Sequence, residues 1–136
     1  MISRARRIIP SSIHFREAEY ARDNYVIAGG DFNQKFPGIN SDRFAVKDAK
    51  YFKPGILRED MLSPLWRFAR DPEIPTARLL NKPYSGSYED TQLYVIDGFI
   101  LSPNVELASV QAFEAGFRYS DHNPMVLEVR LQSESR

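Results

Sequence analysis

Between Asn33 and Tyr88 the chain is interrupted by Pro37, Pro54, Pro64, Pro72, Pro75 and Pro83, and this punctuation constrains the fold more than any other feature of the sequence. Each proline fixes φ and removes a backbone donor, so no long helix or central strand can run through this stretch. An irregular segment of such length inside a compact domain is usually functional or disordered. Its aromatic residues, Phe36, Phe44, Tyr51, Phe52, Trp66 and Phe68, argue for packed order, because disordered segments are poor in aromatics. The expectation is a surface beside a site, with room for one short helix near Arg58 to Ala69.

Regular structure is therefore left to the flanks. Residues 1–13 show no period and are expected to be irregular, while Phe15 to Arg22 reads as a short helix. Tyr25-Val-Ile-Ala28 is an apolar run that suits a buried strand, and Gly29-Gly30 predicts an abrupt stop, placing the residues after Gly30 at the strand's C-terminal edge. The pattern turns strongly β from Gln92, with strands expected over Leu93 to Ser102, Val105 to Phe113 and Met125 to Leu131. The turn Ser102-Pro103-Asn104 predicts that the first two form a hairpin, and Arg118 to Pro124 reads as a polar loop.

The 136 residues are expected to form a single domain over 1–136, and 43% hydrophobic residues suffice for a core. Lysine plus arginine and aspartate plus glutamate balance at 18 each, so no global field attracts nucleic acid or an anionic membrane. The absence of cysteine excludes a disulfide framework, a thiolate zinc site and a cysteine nucleophile. Arg4, Arg6 and Arg7 resemble the start of a signal peptide, but no apolar stretch follows, so a soluble protein without a membrane span, cytoplasmic by default, is expected. His14 and His122 are the two histidines available for chemistry.

Three short segments carry acidic and amide groups: Gly30-Asp-Phe-Asn33, Ile96-Asp-Gly98 and Ser120-Asp-His-Asn-Pro124. Each has a bland explanation. Asp-x-Asn after two glycines is a natural Asx-turn, and Ser-Asp-His fits a solvated loop. Asp97 is harder to dismiss, because a carboxylate within an apolar strand must be paired or hydrogen-bonded. Of the basic residues Lys35, Lys53, Arg58, Arg67, Arg78, Lys82 and Arg118, any could grip a phosphate, although a solvated surface charge is the ordinary condition of each. Glu59 and Asp60 form an acidic pair that reads as a helix start. The loop Lys82 to Tyr88 is expected to pack Tyr84 and Tyr88 at the surface.

Taken together, Gly29-Gly-Asp-Phe-Asn33, Val95-Ile-Asp-Gly-Phe-Ile-Leu-Ser102 and Tyr119-Ser-Asp-His-Asn-Pro124 resemble, in order, the last three signature blocks of the endonuclease/exonuclease/phosphatase superfamily. The resemblance covers about Phe15 to Leu131. It implies a deoxyribonuclease-I-like α/β fold, a four-layer α/β/β/α sandwich of which this chain would supply one sheet layer and its outer helices. It also implies metal-dependent hydrolysis of a phosphodiester or phosphomonoester. Asp31 then resembles the carboxylate that activates water and Asn33 the amide that binds phosphate. His122 resembles the imidazole on the phosphate oxygen, Asp97 the carboxylate that orients and charges that ring, and Asp121 the ligand of Mg2+ or Mn2+.

The family's first two blocks, an Asn and a metal-binding Glu, have no counterpart in the sequence before Tyr25. The resemblance therefore implies a C-terminal portion that is weakly active or inactive alone, the alternative being a non-catalytic interaction module of the same fold. It leaves the substrate open among nucleic acid, phospholipid and sugar phosphate. The apolar strand faces predict a cover, either a complementary N-terminal half or a second copy in a homodimer.

Overall fold

A computed structural model describes residues 8–40 and 42–133, with side chains from His14 onward. Its elements in chain order are α1 (Ile8–Tyr20), β1 (Ile27–Asp31), β2 (Gln34–Lys35), β3 (Gly55–Ile56), β4 (Arg67–Ala69), β5 (Ala77–Arg78), β6 (Leu93–Tyr94), β7 (Asp97–Leu101), β8 (Val105–Ala112) and β9 (Met125–Leu131). Among the described residues this is a mixed, sheet-rich α/β arrangement of one helix and four small sheets. No described helix is long and apolar enough to cross a membrane. The arginines at positions 4, 6 and 7 lie outside the described residues.

β7 occupies the middle of a three-stranded antiparallel sheet in the order β1-β7-β4. Its alternating side chains serve two different clusters, as the period of a strand requires. Ile100, fully buried, joins Phe36, Phe44, Leu57, Phe68, Val95 and Phe117. Leu101, also fully buried, joins Ala69 and Val105, against which Leu107, Val110, Leu127 and Val129 of β8 and β9 pack. A strand buried on both faces must be apolar throughout, and Phe-Ile-Leu at positions 99–101 meets that condition.

The proline-punctuated segment supplies much of the first cluster. Phe36 stands edge-on between Phe32 and Phe68, with ring centroids 5.2 and 5.6 Å away. Lys47 orders the distal part of this region, its ammonium donating to the carbonyls of Tyr88, Glu89 and Thr91 at 2.8 to 2.9 Å. The tyrosines of the Lys82 to Tyr88 loop pack as expected in part: Tyr84 stands edge-on to Phe117 at 5.2 Å, and both Tyr84 and Tyr88 lie against the first cluster.

Several expected elements differ. The helix covers Ile8–Tyr20 rather than Phe15 to Arg22, so residues 8–13 are not irregular. Asp23, at φ +64, then turns the chain out of the helix. β1 does not stop at Gly29-Gly30 but runs through both to Asp31, because β7 supplies partners: Gly29 opposes Phe99 and Gly30 opposes Gly98. The helix expected near Arg58 to Ala69 reduces to a 3-10 turn over Glu59–Met61, since Pro64 and the left-handed Leu65 (φ +72) break the ladder before β4 begins. Asp60 there binds Arg58 at 2.9 Å.

The expected hairpin of the first two C-terminal strands is also replaced. β7 pairs with β1 and β4, whereas β8 pairs with β9, so the Ser102 to Asn104 turn carries the chain from one sheet to another. The long strand expected over Leu93 to Ser102 splits at Val95-Ile96, where the chain leaves β5 and joins β1 and β4.

Gly98 is fixed by close packing. A Cβ there would meet Phe36 Cζ at 2.6 Å and the Ala69 carbonyl oxygen at 2.8 Å. Gly98→Ala is expected to cost about 1 to 3 kcal/mol by overpacking, read as a lowered urea midpoint at unchanged m-value. A midpoint within error of the parent would contradict the packing argument.

Candidate active site

Antiparallel pairing of β1 with β7 sets the last residue of one strand opposite the first of the other, so Asp31 and Asp97 are register partners. Two carboxylates are thereby brought to one sheet edge, and a cation or proton donor between them relieves their repulsion. The loop before β9 provides the donor. Ala77 of β5 forms an isolated bridge with His122, and the Arg78 amide donates to the Asp121 carbonyl at 2.9 Å. The imidazole of His122 lies with Nδ1 2.9 Å from Asp97 Oδ2 and Nε2 3.7 Å from Asp31 Oδ2. An ionised Asp97 only accepts, so Nδ1 carries the proton of the short contact and Nε2 is the nitrogen open to chemistry.

Two polar residues outside the expected set hold this geometry. Fully buried Thr76 accepts, through Oγ1, the amides of Ile96 at 3.0 Å and Asp97 at 3.1 Å. Buried Asn123 donates its backbone amide to the Thr76 carbonyl at 2.8 Å and Nδ2 to the Pro75 carbonyl at 2.8 Å, while Oδ1 accepts from Ala115 at 3.1 Å. Ser120 Oγ also accepts the His122 amide at 3.1 Å. Both sides of the Asp97–His122 contact are thus tied to the Pro75-Thr76 segment. Asn123 stands inside the motif Ser-Asp-His-Asn, a signal that could have found it; nothing in the sequence around Thr76 marks it.

Asp31, Asp97 and His122 therefore meet. Asn33 is one turn away, at φ +52, with its backbone amide donating to Asp31 Oδ1 at 2.8 Å. That bond is the Asx-turn that local chemistry favours, and it orients the Asp31 carboxylate as well. Asp121 adjoins His122 in sequence, and among the described residues its side chain makes no hydrogen bond or ion pair. Three of the basic residues have partners of their own: Arg78 Nη1 donates to the Leu79 and Lys82 carbonyls, Arg118 lies over the Tyr119 ring, and Arg58 pairs with Asp60.

Among the described residues no three His, Asp or Glu side chains converge in the manner of a metal site. Asp121 alone would leave most of an octahedral shell to water and substrate. Among the described residues the donor set is thus an imidazole between two carboxylates rather than a preformed metal cage. An open concavity of about 880 Å³ lies elsewhere, between Tyr84 to Tyr88 and Glu114 with Gly116. Its serine hydroxyls are bonded within their own loop, Ser85 to Asp90 and Ser87 to the Glu89 amide, and among the described residues no titratable pair like that of Asp97 and His122 is found there.

Burial raises Asp97 above the ordinary carboxylate range, against the lowering effects of Thr76 and His122 and with a further raising contribution from Asp31. No family model, curated protein or solved structure matches this chain.

The raised Asp97 fixes a sign for pH dependence. Its folded form keeps a proton at pH values where the unfolded form has lost it, so this group lowers stability as pH rises through that window, and the penalty persists above it. Asp97→Asn is expected to be more stable than the parent at pH 7, with the difference shrinking toward pH 4 and below. Thermal melts across that range check it, and a variant destabilised equally at every pH would contradict the assignment.

Proposed function

We propose that the Asp31–His122–Asp97 cluster is the phosphate-facing part of a phosphoester hydrolase site, in a C-terminal portion of a deoxyribonuclease-I-like, four-layer endonuclease/exonuclease/phosphatase domain. The observation that carries this reading is the imidazole held by Asp97 through Nδ1 while Nε2 opens toward Asp31. The three sequence motifs support it, since the residues of each motif lie at or next to one sheet edge.

In this reading Asp31 accepts a proton from the attacking water as its oxygen forms the new bond to phosphorus. The ester P–O bond breaks, and the leaving alkoxide is protonated from solvent. As the imidazolium, with its Nδ1–H held by Asp97, His122 donates from Nε2 to a non-bridging oxygen as negative charge grows there, and the Asn33 side-chain amide binds another. Asp97 does not touch the substrate; it positions the ring and its tautomer. Mg2+ or Mn2+, assigned to Asp121, would supply Lewis acidity to the same oxygens. One carboxylate holds such an ion weakly, which is why the reading expects a slow catalyst that a complementary half would complete.

The test has two arms. Bis-p-nitrophenyl phosphate with Mn2+ is expected to turn over below about 1 s⁻¹, the low end of ordinary enzymes, and His122→Ala to reduce that rate at least about 100-fold. Titration with inorganic phosphate, followed on the His122 ring protons by NMR, is expected to shift those signals in the parent chain. Turnover indifferent to His122→Ala would refute the reading. A silent ring at millimolar phosphate would favour the non-catalytic interaction module instead.

A further inference from the structure

β9 is an open edge. At both ends of its pairing with β8 the even-numbered residues face the partner: Gln132 donates to the Asn104 carbonyl at 3.0 Å, and Phe113 donates to the Pro124 carbonyl at 2.9 Å. The one irregularity, at Ala108, lies in β8 and leaves the alternation along β9 intact. The backbone groups of Met125, Leu127, Val129 and Leu131 therefore point away from β8. No described strand pairs with them.

Other edges are shorter or interrupted. β8 is bulged at Ala108, and its Ala112 amide, which points away from β9, donates to the buried Asp71 carboxylate at 2.9 Å. β1 contains two glycines, and β4 is three residues long. β9 has seven residues and carries no proline, lysine or bulge to blunt it; its charged residues, Glu128 and Arg130, are of opposite sign and so can pair across a matching edge. Its inward row, Leu127 and Val129, packs on Leu101 and Val105, but Leu131 at the end of that row remains 54% exposed.

Charge selects the occupant and the register. We propose that β9 pairs antiparallel with β9 of a second copy of this chain about a two-fold axis at Val129. The outward-facing backbone groups allow this register, in which Leu127 opposes the copy's Leu131 and Glu128 opposes the copy's Arg130, each twice. Glu128 and Arg130 then fall at non-hydrogen-bonded positions, where facing side chains approach most closely. Moving the axis to Glu128 sets two glutamates face to face, and moving it to Leu127 pairs Glu128 with Val126. The apolar row becomes continuous across the two copies, covering Leu131. The pairing rests on edge geometry and charge and is independent of the proposed hydrolytic site.

Sedimentation of the full chain between about 1 and 100 µM is expected to show a dimer of twice 15.7 kDa. Glu128→Arg is expected to raise the dimer dissociation constant about ten- to hundredfold by setting like charges together at both pairs, and adding Arg130→Glu restores the affinity. The internal Arg130–Glu106 pair lost in that double variant is exposed at 3.7 Å and contributes little. Val129→Pro removes an outward donor that β8 does not use; it is expected to give a monomer with the parent's far-UV circular dichroism. A chain monomeric throughout that range, including one whose edge takes up a strand of a different polypeptide, overturns the proposal. So does a dimer indifferent to Glu128→Arg.

Discussion

Thr76 is the residue through which the sheets and the site are joined. Its amide donates to Tyr94 at 2.8 Å, its carbonyl accepts from Asn123 at 2.8 Å, and its hydroxyl accepts the amides of Ile96 and Asp97. One fully buried side chain thereby satisfies two backbone donors at the point where β6 ends and β7 begins. Buried amides without partners are costly, and a strand that changes neighbours leaves amides unpaired at the crossing. The hydroxyl at position 76 removes that cost. It also fixes where β7 starts, and hence that Asp97 is its first residue.

The site depends on that fixed point. Because Asp97 opens β7 and Asp31 closes β1, the register puts both carboxylates at one edge, and Asn123 brings the loop with His122 to the same place. The imidazole between two acids is held by contacts made almost entirely by backbone and by buried polar side chains. Such support positions the ring more firmly than surface ion pairs do, because Thr76 and Asn123, which stand behind it, are buried away from competing water.

The molecule also shows an uneven treatment of its strand edges. Where β8 could offer free backbone groups, a bulge and the Asp71 carboxylate intervene. The buried Asp71 also accepts the amides of Glu73 and Ile74, so the same residue shapes the turn after β4. The proline-rich segment, which excludes long regular structure, places Phe36 over Gly98 and Phe68 beside Ile100, and so becomes part of the core.

The sequence by itself determined the local properties: which stretches are apolar and β-branched, where proline forbids regular structure, and that a carboxylate at position 97 needs a partner. It also showed the three motifs that now lie together, since Asp31, Asp97 and His122 each stand in a short pattern whose chemistry is local. Tertiary structure decided what depends on partners far along the chain. Gly29-Gly30 reads as a stop until β7 supplies partners, and Ser102-Pro103-Asn104 reads as a hairpin until β9 takes β8. The split of the strand at Val95-Ile96 and the importance of Thr76 were invisible for the same reason. A backbone donor's partner is chosen by competition among all strands in space, and a hydroxyl at the crossing point has no signature in the residues beside it.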